Sequence, residues 1–356
     1  MLFSPLTLGE LELPNRLVMA PLTRLRSGED GVPGPLVVEH YLQRASLGLI
    51  VSEGIYPSPA GRSYPGQPGL VTAEQIAAWK KVTDAVHAEG GRIFAQIMHG
   101  GRVSHADITG GHTIVGPSAV AIDGEVRTPS GKQPYPVPHA LTIGELPVVM
   151  QEIVTGSINA IEAGFDGVEL HSANGYLLHE FLAPNSNVRD DSYGGSPENR
   201  ARFVIETVNA AVAAVGSSRV GIRISPEHSV QGIAETDAAD VRATYEVLVD
   251  SIAPLNLAYV SILHHEPTSE LVQDLRARFN GTFLVNSGFG TMTTREEATA
   301  LVADGHADAV VVGRPAIANP DLARRWKESL PLNEPDPSTF YADGSIGYTD
   351  YPAYSA

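Results

Sequence analysis

The sequence predicts an α/β fold, a (β/α)8 TIM barrel, on three observations. Apolar β-type runs recur along the chain, helical patterns separate most of them, and the runs are near-continuously apolar instead of alternating. Strands of that kind belong to a parallel sheet covered by helices. Eight such runs occur, over 16–23, 48–55, 92–99, 165–172, 219–226, 257–265, 281–290 and 307–315. Eight strand–helix units in 356 residues suit a closed barrel. A doubly wound open sheet offers no clean place for all of them.

Taken in order, "LTLGELELPN" (6–15) reads as a short hairpin able to plug the barrel bottom. The stretches 73–90, 198–216 and 294–305 carry helical patterns, and the stripe Ile205, Val208, Val212 belongs to the core. Residues 100–143 are too long for an ordinary strand-to-helix loop. Their Gly and Pro punctuation and a candidate strand in "HTIVGPSAVAI" indicate a capping excursion over the exit of strand 3. The aromatic, turn-rich tail at 331–356 is expected to pack back on the barrel and contribute to its rim. One domain, 1–356, is expected.

Composition narrows the function. Hydrophobic residues make up 43% of the chain and charged ones 18%, which is globular. A formal net charge of −17 argues against nucleic-acid or anionic-membrane partners, which need a basic face. Cysteine is absent, so disulfides, thiolate nucleophiles and cysteine-held clusters are excluded. The start lacks a signal-peptide pattern and no apolar run reaches membrane-span length, so a cytoplasmic protein is expected.

Barrel active sites lie at the C-terminal ends of the strands. There the runs carry Thr23, Glu53, Gln96, His171, Arg223, Asn286 and Arg314. A lone polar residue in an apolar strand is commonly bonded locally, but seven in register point to a shared ligand site. Arg223 is the sharpest case. Between Ile222 and Ile224 it faces the side opposite to theirs, and a guanidinium inside a barrel needs a strongly accepting partner. Glu53 or Glu169 is the plain candidate for that partner; a ligand that carries or develops negative charge is the functional one. Gly288 in "NSGFG" and Gly313–Arg314 in "VGRP", at the exits of strands 7 and 8, fit a phosphate cradle.

Other chemistries find less support. A Schiff-base aldolase needs a strand-end lysine, and Lys80, Lys81, Lys132 and Lys327 are none of them there. No G-x-S-x-G elbow or G-x-x-x-x-G-K-[ST] loop occurs. The chief rival is a metal site drawn from Glu53, Glu169, His171, Glu227 and the pair His264–His265, although His99, His105 and His112 sit on a loop. A catalytic metal wants three close ligands, so no metal is expected.

Several segments resemble the Old Yellow Enzyme family of flavin-dependent ene-reductases. They are "APLTR" (20–24), "SEGIYPSPAGRSYPGQPG" (52–69), "QIMHGGR" (96–102), "HSANGYLLHEFLAPNSNVRDDSYGGSPENRARF" (171–203), "RISP" (223–226), "VVGRPAIANPDL" (311–322), and "TFY" with "GYTDYP" within 339–352. The resemblance spans essentially the whole chain, and the 171–203 segment is highly specific. It implies a (β/α)8 barrel that binds FMN tightly but not covalently at the strand C-termini.

It also implies roles. Thr23 would modulate the flavin from its C4 carbonyl side, and main-chain groups around Ala20, Pro21, Leu22 and Gly54 would line the ring. Gln96 would meet the pyrimidine edge, and Arg223 the N1 and O2 side where reduced flavin holds negative charge. Gly288, Gly313 and Arg314 would serve the phosphate end, with Asn286 also on the cofactor and Phe340 near the flavin. Tyr64, Met98 and Tyr341 would border the substrate. His171 and Asn174 would donate to the oxygen of an activating group, as an oxyanion hole does, and Tyr176 would protonate the α-carbon. A regular helix would set Asn174 and Tyr176 about 200° apart, so Gly175 must allow an irregular turn.

The chain departs from the family at Met98, where many members have tryptophan, and at Asn174, where others have a second histidine. The loops at 226–237 and 264–272 match poorly. The resulting expectation is an FMN-dependent oxidoreductase that reduces enones, enals, nitroalkenes and nitrate esters with NADPH or NADH by ping-pong. It would be a monomer or homodimer without nucleic-acid or membrane partners. A metal-assisted lyase or hydrolase, and an idle FMN-binding protein, are the alternatives.

Overall fold

The structure is a computed structural model and describes residues 1–355. Each apolar run supplies a short parallel strand: Leu17–Met19 (β1), Leu49–Val51 (β2), Ile93–Ile97 (β3), Gly167–Ser172 (β4), Val220–Ile224 (β5), Tyr259–Leu263 (β6), Phe283–Asn286 (β7) and Ala309–Val312 (β8). They pair in chain order and β8 returns to β1, so the barrel is closed. Eight helices follow the strands in turn: Pro35–Leu42 (α1), Ala73–Ala88 (α2), Leu146–Glu162 (α3), Pro197–Val215 (α4), Ala238–Ile252 (α5), Glu270–Phe279 (α6), Arg295–Ala303 (α7) and Leu322–Glu328 (α8).

Alternation along the strands divides the core. Met19, Ile50, Ile93, Val168, Ile222, Val260 and Val310 pack under the helices, while Val18, Leu49, Phe94, Tyr259, Leu284 and Val311 fill the barrel interior. Glycine makes room where two rings share that interior. A Cβ on Gly167 would stand 2.4 Å from Phe94 and one on Gly221 2.5 Å from Tyr259. The N-terminal strands Leu6–Leu8 and Leu11–Leu13 pair antiparallel, and Leu8 and Leu13 enter the interior cluster, so the hairpin stops the bottom as expected.

Two expectations need correction. The strands are shorter than the apolar runs, so Thr23 lies beyond the end of β1, Glu53 beyond β2, and Arg314 opens the short helix Arg314–Ala318. Of the seven polar residues, only Gln96, His171, Arg223 and Asn286 stand in strands. Within 100–143, "HTIVGPSAVAI" yields only Val115–Gly116, paired with His139–Ala140. The larger feature is an antiparallel hairpin, Glu125–Thr128 with Gly131–Pro134, which the sequence reading did not find. Among the described residues, no helix is long and apolar enough to cross a membrane.

Candidate active site

The strand exits surround a cavity of about 1010 Å³. Its floor is polar because the inward positions near the C-terminal ends of β3 to β7 carry Gln96, Glu169, His171, Arg223, Ser261 and Asn286. Gln96 Nε2 donates to Glu169 Oε1 at 2.8 Å, and Tyr259 Oη donates to Glu169 Oε2 at 3.1 Å. Burial pushes the Glu169 carboxyl up from its usual range, opposed by the charge of Arg223. Arg223 Nη1 donates to Ser261 Oγ at 3.1 Å and Nη2 to Asn286 Oδ1 at 3.2 Å. Asn286 is itself fixed by donating to the Val311 carbonyl at 2.8 Å.

The ion pair that would have accounted for Arg223 within the protein is not made. Neither Glu53 nor Glu169 reaches it as a salt-bridge partner, and Glu53 Oε2 instead accepts from the backbone N–H groups of Arg24 and Leu25. Arg223 is buried with neutral hydrogen-bond acceptors, Ser261 and Asn286, and burial is the main pull on its pKa, downward, opposed by the charge of Glu169 nearby. A buried cation in that state favours a ligand able to hold negative charge.

The wall beside Arg223 is built by β4, whose His171 is the register partner of Arg223, and by the chain after it. Asn174 at φ 56° and Gly175 at φ 85° form two successive left-handed residues, which break the helix until Leu177. Asn174 N–H donates to Ser225 Oγ at 2.9 Å and Gly175 N–H to His179 Nδ1 at 3.0 Å. This is the irregular turn that the spacing demands. It brings His171, Asn174 and Tyr176 to one wall, with the His171 and Tyr176 ring centroids 4.9 Å apart. His171 Nδ1 and Asn174 Oδ1 are buried without a partner in the chain, a condition that costs free energy unless a ligand answers it. Burial, and then the charge of Arg223, hold His171 well below the usual histidine range, so its imidazole is neutral.

Ala20, Pro21, Leu22 and Thr23 line the side between β8 and β2. Gly288, Gly313 and Arg314 line the far end, where a Cβ on Gly288 would meet nothing closer than 3.9 Å and one on Gly313 nothing closer than 3.7 Å. That open backbone cradle has a cation beside it, since Arg314 spends one donor on the Phe289 carbonyl at 3.0 Å and makes no ion pair among the described residues. Tyr64, Phe340 and Tyr341 complete the mouth, Tyr341 being 64% exposed. The tail is held there by cations on carbonyls. Arg24 donates to the Phe340 and Gly347 carbonyls, and Arg26 to those of Phe340 and Thr339.

Two expected lining residues stand elsewhere. Met98 packs with Val103, Ile122 and Tyr176, one layer behind the cavity. Gly54 turns toward it, and a Cβ there would come within 2.5 Å of the Met98 sulfur. Conversely, Arg127 from the unexpected hairpin, Gln231 from the β5 exit loop and Phe289 from the β7 exit line the cavity without having been foreseen. Gln231 and Phe289 lie on loops, and Arg127 on a short strand of polar sequence. Of the residues weighed as metal ligands, Glu169 is bonded to Gln96 and Tyr259, and Glu227 meets His264 at 3.0 Å. No three such side chains gather among the described residues.

A flat ligand with hydrogen-bonding edges, an anion-prone side and a phosphate tail answers the floor, the buried guanidinium and the glycine cradle together. The class so defined is the flavin-binding (β/α)8 barrel. The chain belongs to the NADH:flavin oxidoreductase / NADH oxidase family, which it matches over residues 1–333. A Leishmania infantum protein named "Probable flavin mononucleotide-dependent alkene reductase" is 41% identical over 360 residues, covering 99% of this chain and 97% of the relative. An old yellow enzyme homologue from Zymomonas mobilis superposes with a TM-score of 0.94 at 37% identity, covering 99% of both chains. Morphinone reductase in complex with tetrahydroNAD gives 0.93 at 43% identity, covering 99% of this chain and 98% of that one. The protein is an FMN-dependent oxidoreductase with a nicotinamide reductant.

Proposed function

We propose that the protein reduces activated C=C bonds, those of enones, enals and nitroalkenes, with NADPH or NADH in a ping-pong cycle. The observation that carries this reading is that one cavity gathers both sets of groups. Buried Arg223 stands beside His171, its register partner on β4, and the turn after that strand adds Asn174 and the hydroxyl of Tyr176, with His171 Nδ1 and Asn174 Oδ1 unpartnered.

FMN bound in the cavity would supply the two-electron chemistry, taking hydride from the nicotinamide and giving it to the alkene. Ala20, Pro21, Leu22, Thr23 and Gln96 would hold its ring. Arg223, kept in place by Asn286 and Ser261, would balance the charge of its reduced form, and Gly288, Gly313 and Arg314 would take the phosphate. His171 and Asn174 bind and polarise the activating oxygen of the substrate, drawing electron density from the β-carbon. Asn174 Oδ1 and Nδ2 exchange places on an amide flip, so the unpartnered position serves equally as a donor. Tyr176, whose pKa burial raises, keeps its proton for the α-carbon at neutral pH. From the tail, Tyr341 would cover the substrate and Phe340 would lie near the flavin. The protein acts as a cytoplasmic monomer or homodimer.

The test is a spectrum. The purified protein should be yellow, NADPH or NADH should bleach it, and 2-cyclohexenone should restore the colour. A yellow protein that cyclohexenone leaves bleached would be an idle flavin carrier. A colourless one that holds a metal would be a different barrel enzyme.

A further inference from the structure

Behind the turn that carries Asn174 and Tyr176 lies a buried polar chain that the reaction itself does not use. His179, on the short helix Leu177–Leu182, is fully buried. Its Nδ1 accepts the Gly175 N–H at 3.0 Å, so the ring proton sits on Nε2. That nitrogen lies 3.1 Å from Glu235 Oε1 and 3.1 Å from Tyr245 Oη, and the Tyr245 hydroxyl donates to the same Glu235 oxygen at 3.1 Å. The second Glu235 oxygen accepts the Glu227 N–H at 2.8 Å, and Glu227 Oε2 meets His264 Nε2 at 3.0 Å.

The chain of bonds therefore joins four parts of the molecule: the reacting turn after β4, the loop after β5, helix α5 through Tyr245, and the exit of β6 through His264. The loop also touches the turn directly. A Cβ on Gly175 would fall 2.8 Å from Gln231 Cβ and 2.9 Å from the Val230 carbonyl, and Gly175 at φ 85° admits glycine there. The two segments that resemble the family least thus hold the turn that resembles it most.

A left-handed pair of residues is held against its own strain only if its surroundings fix it. The single side-chain acceptor for the Gly175 N–H is His179. With the Nδ1 position protonated or removed, that N–H is buried and unpaired, and the turn loses what orients Tyr176.

We propose that His179 is a positioning residue for the Asn174–Gly175–Tyr176 turn, and that Glu235 ties the mouth loop 226–235 to the turn by orienting the His179 ring. This rests on the reading of that turn as the reacting wall. A substrate that orders the loop thereby orders the proton donor, and the loop acts on rate as well as on binding.

A crossed pair of variants tests it on the FMN-loaded enzyme. Asparagine at 179 sets an amide oxygen where Nδ1 stands but does not reach Glu235; glutamine reaches Glu235 but leaves Gly175 unpaired. His179→Gln should slow single-turnover reoxidation by 2-cyclohexenone roughly 10- to 100-fold. His179→Asn should stay within roughly 3-fold of wild type in that step. Hydrogen exchange read by mass spectrometry should show faster exchange over 173–178 in His179→Gln, and over both 173–178 and 226–235 in Glu235→Gln. Equal rates in the two His179 variants, or a Glu235→Gln effect confined to the loop, overturns the proposal. The exchange arm does not depend on turnover, so a wild type that cyclohexenone fails to reoxidise sinks the functional reading and leaves the coupling to be judged alone.

Discussion

The hydroxyl oxygens of Tyr64 and Tyr176 lie 2.8 Å apart at the wall of the cavity. Burial raises the pKa of both, that of Tyr64 well above the usual phenol range, so both stay protonated at neutral pH. Two protons shared by two oxygens leave one hydroxyl hydrogen free for a ligand, and the neighbour's hydrogen bond then supports the phenolate left behind. Tyr176→Phe should lower the rate of enone reduction about 10²- to 10⁴-fold, with the NADPH-driven bleaching step intact. Stopped-flow measurement of the two half-reactions separates these effects. Equal losses in both would mean that Tyr176 is not the proton donor. Tyr64→Phe, which keeps the donor and removes its support, should fall between wild type and Tyr176→Phe.

His171 offers its ring to the cavity and carries no proton charge. His171→Ala should weaken phenol and enone binding about 10- to 100-fold while FMN stays bound. Phenol titration followed in the flavin spectrum measures it. Loss of the flavin itself would assign His171 to the cofactor. The pH dependence follows from the same cause. Burial and the Arg223 charge depress the His171 pKa well below 6.5, so phenol affinity should be level from about pH 5.5 to 8. An inflection near pH 6.5 that disappears in His171→Ala would refute the neutral imidazole.

Glu180 makes a prediction about stability. It is fully buried, one oxygen accepts the Arg102 N–H at 2.8 Å, the other has no partner, and the Arg102 guanidinium is turned to the Val120 and Gly232 carbonyls. Burial therefore pushes its pKa up to about 8. Between the unfolded value of about 4.3 and about 8, the folded chain holds a proton here that the unfolded chain has lost. Stability from this group accordingly falls as pH rises through that window. Glu180→Gln stays neutral throughout, so the melting temperature of the variant relative to wild type should climb from pH 5 to pH 8. A difference that does not vary with pH would show that Glu180 is ionised in the folded protein.

The sequence made the barrel legible because its strands are buried on both faces and read as continuous apolar runs. Arg223 was legible for the opposite reason, as one charge in the middle of such a run. The hairpin at 125–134 escaped because its strands carry no apolar pattern, "EVRT" burying only Val126 and Thr128 and "GKQP" being polar and largely exposed. Met98 was placed beside the substrate by the resemblance alone. In this chain β3 ends at Ile97, one residue earlier, and Met98 packs with Val103, Ile122 and Tyr176. Gln231 and Phe289 reach the cavity from loops, where spacing carries no direction. The turn at 174–176 was anticipated from its glycine, yet its support by His179 and Glu235 joins residues 56 positions apart and has no local signature.

The far end of the cavity makes the last prediction, and it separates phosphate recognition from ring recognition. Gly288 and Gly313 leave open backbone at the β7 and β8 exits, and Arg314 brings a guanidinium that no carboxylate neutralises among the described residues. Riboflavin shares the ring and ribityl chain of FMN but lacks the phosphate. Arg314→Gln should thus weaken FMN binding about 10-fold or more, since a charge-assisted hydrogen bond is worth about 1.5–3 kcal/mol. Its riboflavin affinity should hardly change. Gly288→Val should weaken FMN further, because φ +90° resists a β-branched residue and its side chain would fill the cradle. Fluorescence titration of apoprotein with each flavin gives both constants. If Arg314→Gln weakens riboflavin as much as FMN, the guanidinium supports the fold of the β8 exit and the phosphate lies elsewhere.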